Sequence, residues 1–204
     1  HPHITLMAEI LRRDAKKYPC LSNSIISLDR SERDFTNLPE LQKANFIVCA
    51  SKFTANSIEH AGIDRTKITT IPYGIDVDLQ ESLSKRSNKH CLFLFVGSGI
   101  HRKGLHHLLL AWKKAKLKHS TLNIVSRYVD SDIRKYFDPG KNCYLRMGLT
   151  DKEVQEYYQK SHVFVMPSLI EGFGYVYLEA LAHGCYCIGT HNTGLPDVLF
   201  SEKD

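Results

Sequence analysis

Two glycine-rich turns hold the residues best suited to chemistry. In Pro167-Ser-Leu-Ile-Glu-Gly-Phe-Gly-Tyr-Val-Tyr-Leu-Glu-Ala-Leu-Ala-His-Gly184, Glu171 precedes the turn Gly172-Phe173-Gly174, and Glu179 falls in the first two turns of the helix that follows. A carboxylate beside open backbone N–H groups accepts hydrogen bonds from hydroxyls, and a second one further along is placed to bridge a vicinal diol such as a ribose. The plainer alternative makes Glu171 a surface acid complementing a helix dipole and Glu179 a half-buried, salt-bridged one. Residue chemistry leaves these two readings level. The second turn, Gly97-Ser-Gly-Ile-His-Arg-Lys-Gly104, follows a strand and opens a helix, an arrangement that turns backbone N–H groups toward phosphate and here adds Arg102 and Lys103. It matches neither G-x-G-x-x-G nor G-x-x-x-x-G-K-[ST], and no acid lies ~20 positions on, so dinucleotide and P-loop readings fail. Alone it reads either as a phosphate turn or as an ordinary strand-to-helix connection with solvated bases.

The apolar pattern supplies the elements that must position these turns. Ile4, Met7, Ile10 and Leu11 form the stripe of an amphipathic helix ended by Pro19, with Arg12, Arg13, Lys16 and Lys17 on its other face. Leu38 to Ala44 reads as helical, Asn45 to Cys49 as a buried strand, and Ser51 as the N-cap of a helix that Gly62 ends. Lys67 to Ile71 is a strand, Pro72 to Asp76 stops regular structure, and the polar run Glu81 to Lys89, with Lys85 and Arg86, is the best linker. From Cys91 strands and helices alternate. The strands are Cys91 to Val96, Thr121 to Ser126, Asn142 to Met147, His162 to Met166 and Cys185 to Gly189. Between them come helices over Lys103 to Lys116, Ser131 to Phe137, a third from the capping box Thr150-Asp-Lys-Glu153, and Gly174 to His183. Continuous apolar strands alternating with helices call for an α/β fold with a doubly wound parallel sheet.

Composition narrows the partners. The chain has 204 residues, 43% hydrophobic and 24% charged, which excludes disordered, collagen-like and disulfide-scaffold classes. Lys and Arg exceed Asp and Glu by 27 minus 22, or +5. That bias is too mild for a nucleic-acid footprint and fits anionic small ligands or an acidic membrane surface. Six scattered cysteines read as reduced thiols of a cytoplasmic protein, with no disulfide. The longest apolar runs fall far short of the ~20 residues that span a bilayer. The chain begins at His1 rather than Met, which leaves an upstream segment open. At ~150 residues per domain, its length amounts to roughly 1.4 domains.

Glu171 and Glu179 are separated by seven residues, and this segment resembles the E-x7-E signature of family-4 retaining glycosyltransferases of the GT-B fold. Phe95-Val-Gly97 with Arg102-Lys-Gly104 is similar to that family's phosphate turn, Ile71-Pro-Tyr-Gly-Ile-Asp76 to its interdomain crossing, and Thr193-Gly-Leu-Pro-Asp197 to its segment after the next strand. Ala50-Ser-Lys-Phe-Thr54 resembles its preceding strand-to-helix turn, so the likeness runs from about Ala44 to Leu199. The resemblance implies a Rossmann-like donor domain over 91–204, a crossing and linker over 77–90, and the last part of an acceptor-side Rossmann-like domain over 1–76. It also implies a full chain nearer ~350 to 400 residues, two domains of typical size.

By the same resemblance, a sugar moves from a nucleotide-diphosphate sugar to an unidentified acceptor with its anomeric configuration retained and with no metal or other cofactor. Glu171 would meet the donor sugar's hydroxyls, and Glu179 the ribose. Gly97, Ser98 and the backbone of Phe173, Gly174 and Tyr175 would contact sugar and diphosphate, while Lys103 and Arg102 neutralise the departing diphosphate. Ser98 stands where many members have Arg, and Asp197 where the family often has Glu. A nucleotide-sugar-binding module without turnover, and a GT-B nucleotide-sugar epimerase, are the alternatives.

Other clusters carry less. Asp76-Val-Asp78 spells the D-x-D of metal-dependent transferases but falls in the crossing segment. His183, Cys185, Cys187 and His191 resemble zinc ligands, yet Cys-Tyr-Cys-Ile inside a parallel sheet is core. Tyr157 and Tyr158 read as packing on a helix face. The bases of the first helix fit a solvated surface better than an anionic lipid surface, which leaves peripheral membrane association as a secondary expectation. His1 or His3 lies where the family's amino-terminal domain can offer a cleft histidine.

Overall fold

A computed structural model of the chain describes residues 2–21, 39–76, 89–137 and 142–199. Backbone contacts group it into two compact units, His1–Tyr73 with Ser168–Gly174 and Thr190–Asp204, and Gly74–Pro167 with Tyr175–Gly189. The first of these units thus takes in segments from both ends of the chain and from the loop over 168–174. His1, Leu38, Asp78, Lys85 and Arg86 lie outside the described residues.

In the first unit, α1 (Ile4–Ala15) follows His3, whose Nδ1 accepts from the Thr5 N–H at 3.4 Å. Ile4, Ala8 and Leu11 bury against Ile170, with Met7 and Ile10 at the margin. The small α2 (Pro39–Lys43) leads to β1 (Ile47–Cys49), which pairs in parallel with β2 (Ile68–Thr70), Ile47 opposite Ile68. Ser51 caps α3 (Lys52–His60): its Oγ accepts from the Thr54 N–H at 3.0 Å, an interaction typically worth about 1 kcal/mol. Ala55 and Ile58 of α3 close a small core over Ile47, Cys49 and Ile68.

The second unit carries the α/β fold expected from the alternation. Its parallel sheet has the order β5-β4-β3-β6-β7, made of β3 (Cys91–Val96), β4 (Ser120–Val125), β5 (Cys143–Arg146), β6 (Val163–Val165) and β7 (Tyr186–Ile188). Leu94 at the centre lies opposite Asn123 on one side and Phe164 on the other. Leu94, Phe95, Leu122, Ile124 and Phe164 are fully buried because helices cover both faces. The chain winds outward from β3 to β5 and returns to β6. The carboxyl ends of β3 and β6 therefore flank the point where strand order reverses, the usual ligand position in such sheets.

Two local differences from the expected elements have physical causes. The helix predicted from Lys103 begins two residues later, as α4 (Leu105–Ala115), because His101–Lys103 form a 3-10 turn closed by Gly104 at φ 68°. A Cβ at Gly104 would stand 1.9 Å from the Pro167 carbonyl oxygen, so only glycine lets this turn pack against the loop after β6. Arg102 and Lys103 thus sit before the helix rather than in its first turn. α5 (Ser131–Arg134) is shorter than predicted, since the Tyr136 and Phe137 N–H groups bond three residues back and tighten the chain out of the helix. α6 (Asp151–Lys160) does begin at its predicted capping box: Glu153 N–H donates to Thr150 Oγ1, and Thr150 N–H to Glu153 Oε2. α7 (Tyr175–Ala182) follows the glycine turn, and a short α8 (Leu195–Leu199) ends the described chain.

Candidate functional site

A cavity of about 280 Å³ opens in the second unit at the carboxyl ends of β3 and β4. Val96, Gly97 and Ser98 come from the end of β3 and the glycine turn after it, Val125, Ser126 and Arg127 from the end of β4 and the residues after it, Leu149, Asp151 and Val154 from the start of α6 and the loop before it, and Val176 and Glu179 from α7. The sheet dictates this arrangement, because every parallel strand delivers its following loop to the same edge. Apolar valines and a leucine with a few convergent polar groups make a wall suited to a small polar ligand with flat or ring-shaped parts.

Of the residues singled out from sequence, Gly97, Ser98 and Glu179 line this one cavity. Arg102 and Lys103 belong to the same unit, half-buried in the 3-10 turn, and Lys103 Nζ lies 3.9 Å from Met166 Sδ. Tyr175 opens α7, largely exposed. Glu171, Phe173 and Gly174 fall in the other unit with Ser168–Gly174.

Glu179 is fixed from α6. The Tyr158 phenol donates to Glu179 Oε2 at 2.8 Å from a side chain only 1% exposed. Burial first, and then the adjacent carboxylate, push the Tyr158 phenol well above its usual range, so it remains a donor at neutral pH. His183 bonds through Nδ1 to the Glu179 carbonyl at 2.8 Å and stacks on the Tyr158 ring.

The Glu171 loop is held by main-chain contacts within the first unit. Glu171 is 7% exposed, and its N–H donates to the Asn192 carbonyl at 2.9 Å. Asn192 Nδ2 returns a bond to the Leu169 carbonyl at 3.0 Å. The next carbonyl, Gly172 O, accepts from both Ser51 Oγ and Thr54 Oγ1, two buried hydroxyls at the start of α3. Phe173 accepts from the Gly194 N–H at 2.9 Å and meets the Tyr73 ring edge-on at 5.2 Å. A Cβ at Gly194 would reach within 2.6 Å of the Phe173 ring, which explains the glycine in Thr193-Gly-Leu-Pro.

Two of the residues that resemble zinc ligands, Cys185 and Cys187, are thiols at the start of the β7 segment. Cys185 Sγ contacts the Tyr158 and Ser161 carbonyls, both at 3.3 Å, and burial pushes the Cys187 thiol up to about 12. His3 is buried as the cap of α1, its N–H donating to Ser57 Oγ at 2.9 Å, and burial lowers its pKa. Asp76 is exposed at the end of the crossing segment.

Several contributors carry no motif in the sequence. Ser126 and Arg127 directly follow β4, and the rule that ligands collect at the carboxyl ends of parallel strands is a signal that points to them. Arg127 and Asp151 pair at 3.1 Å on the cavity rim, both side chains well exposed. Tyr158, read as packing, proves to be the partner of Glu179. Ser51, read as a helix cap, also holds the Glu171 loop. Among the described residues, no helix is long and apolar enough to cross a membrane.

Residues 90–204 match the family model described as glycosyl transferases group 1. The chain is 28% identical over 166 residues to an uncharacterized 41.2 kDa protein in the cps region of Klebsiella pneumoniae, covering 78% of this chain and 46% of that protein. Among solved structures, sucrose-phosphate synthase from Thermosynechococcus elongatus superposes with TM-score 0.64 at 21% identity, covering 88% of this chain and 47% of that one. The Anabaena HepE protein in complex with UDP and glucose gives 0.61 at 13% identity, covering 78% and 48%. These likenesses establish the α/β fold as GT-B in type. The chain spans less than half the length of the curated relatives it matches.

Proposed function

The chain belongs to the glycosyl transferases group 1 family, and on that premise we propose that it carries the donor side of a retaining glycosyltransferase of the family-4 type, using a nucleotide-diphosphate sugar. The observation that carries this reading is the cavity at the strand ends, where Gly97 and Ser98 of the glycine turn and Glu179 of the E-x7-E segment meet. Its dimensions and mixed lining suit a nucleoside better than a whole sugar nucleotide, which would extend from it. The neighbour crystallised with UDP and glucose supports the same ligand class.

In this reading Glu179 holds the ribose hydroxyls, and the glycine turn offers backbone N–H groups to the diphosphate. Lys103 and Arg102 stabilise negative charge as the nucleoside diphosphate leaves, while Glu171 and the backbone of Phe173, Gly174 and Tyr175 are assigned to the sugar and diphosphate. The protein's task is to hold the donor and stabilise departing charge; one preorganised donor to such charge is commonly worth about 10²- to 10³-fold in rate. Ser98 puts a neutral hydroxyl where many family members place a charge, and Arg102 of the same turn is assigned to supply that charge. No metal or other cofactor enters this scheme. The domain division at residues 76 and 91 and a cytoplasmic location belong to the same proposal, with the basic residues of α1 read as a solvated face.

The test is a panel of nucleotide sugars scored first by thermal shift and then by turnover, with hydrolysis counted alongside transfer. Stabilisation by one donor together with its turnover supports the reading. Binding with neither transfer nor hydrolysis makes the chain a binding module, and a changed sugar on an intact nucleotide makes it an epimerase.

A further inference from the structure

We propose that Tyr158 is a positioning residue for the nucleotide: its phenol holds Oε2 of Glu179 and so presents the other carboxylate oxygen to the ribose diol. The proposal rests on the reading of Glu179 as the ribose acid. A glutamate on a helix facing an open cavity samples several rotamers, and each one lost on binding weakens the complex. Here the rotamer is selected before ligand arrives. The phenol donates to Oε2 at 2.8 Å, and Oε1 has no partner among the described residues. Glu179 itself lines the cavity.

Tyr158 is in turn held rigid. Its ring lies against Phe164 at 5.9 Å and stacks on His183 at 5.6 Å, 17° from parallel. Its carbonyl receives Cys185 Sγ at 3.3 Å, which ties the end of α6 to the residue before β7. His183 also bonds to the Glu179 carbonyl, so the ring that braces the phenol braces the helix carrying the acid. Packing would need only the ring; the hydroxyl's partner is the carboxylate of a cavity residue.

The experiment measures dissociation constants by titration calorimetry for UDP and 2′-deoxy-UDP, and for ADP and 2′-deoxy-ADP, using the nucleotide pair that binds. The readout is the ratio of deoxy to ribo constants in the unsubstituted chain, Tyr158→Phe and Glu179→Gln. An acid held toward the diol predicts a ratio of about tenfold in the unsubstituted chain. In Tyr158→Phe it falls to threefold or less, at roughly unchanged affinity for the deoxy form. Tyr158→Leu, which also lacks the hydroxyl, repeats the loss. A purely structural role weakens both nucleotides alike and keeps the ratio, and a ratio kept by either folded variant overturns the proposal. If Glu179→Gln loses the discrimination while Tyr158→Phe keeps it, Glu179 is the ribose acid and the Tyr158 proposal fails. A ratio unchanged in both variants, or no binding of either nucleotide by the unsubstituted chain, overturns the Glu179 reading and the proposal with it.

Discussion

Glu171 and Glu179 flank one short turn, yet they are held in different ways. The loop before the turn is fixed through its backbone: Glu171 N–H, Leu169 O, Gly172 O and Phe173 O all bond to residues far away in sequence, from Ser51 to Gly194. After the turn, Glu179 is fixed through its side chain by one phenol on the neighbouring helix. Backbone anchoring sets where a loop runs and tolerates changes of side chain. Side-chain anchoring sets one carboxylate and fails with the loss of a single hydroxyl. The two acids should therefore respond to different substitutions, and the contrast can be broken from either side.

The largest effect is expected at the glycine turn of the cavity unit. Gly104→Ala combines a left-handed backbone with a Cβ placed 1.9 Å from Pro167 O, backbone that cannot swing aside. The expected loss is about 3 kcal/mol or more, read as a lowered midpoint in urea unfolding, with nucleotide binding lost along with the fold. Wild-type stability in this variant would mean that the turn and the loop after β6 are not locked together.

Ser51→Ala acts on the other side of the contrast. It removes the cap of α3 and one of two donors to Gly172 O, for an expected loss of about 1 to 2 kcal/mol. If the backbone of the Glu171 loop is held as described, turnover falls while nucleotide affinity stays within twofold. A fall in affinity as large as the fall in turnover would remove the distinction between the two anchoring modes.

The smallest effect concerns pH. Burial lowers the pKa of His3, which caps the helix that packs on Ile170 of the loop. The native state favours the neutral imidazole, so the unfolded chain binds the proton more readily. This contribution to stability is complete above the unfolded value near ~6.5 and is lost as pH falls through the lowered native value. Melting temperature should therefore decline on acidification below ~6.5, and His3→Gln should flatten that part of the curve. A steeper decline in the variant would contradict the assignment.

What the sequence made legible follows the same contrast. Strand positions, the switch from isolated elements to a regular α/β alternation at Cys91, the capping box of α6 and the two glycine turns are local patterns, and the structure contains them. Gly104 was visible as a glycine, but not the carbonyl 63 residues later that requires it. Tyr158 looked like packing because its partner lies 21 residues away on another helix. Ser51 was recognisable as a cap because that bond spans three residues, whereas its bond to Gly172 spans 121. Periodicity and spacing report contacts within an element. The contacts that fix the two acids are made between elements, where no local pattern records them.

The division of labour between the acids is tested most directly by measuring UDP affinity and turnover of the accepted donor in Glu171→Ala and Glu179→Ala side by side. Glu171→Ala is expected to lose turnover by at least ~100-fold and keep UDP affinity within about twofold, while Glu179→Ala weakens UDP binding about tenfold. Equal loss of UDP binding in both variants would contradict the account.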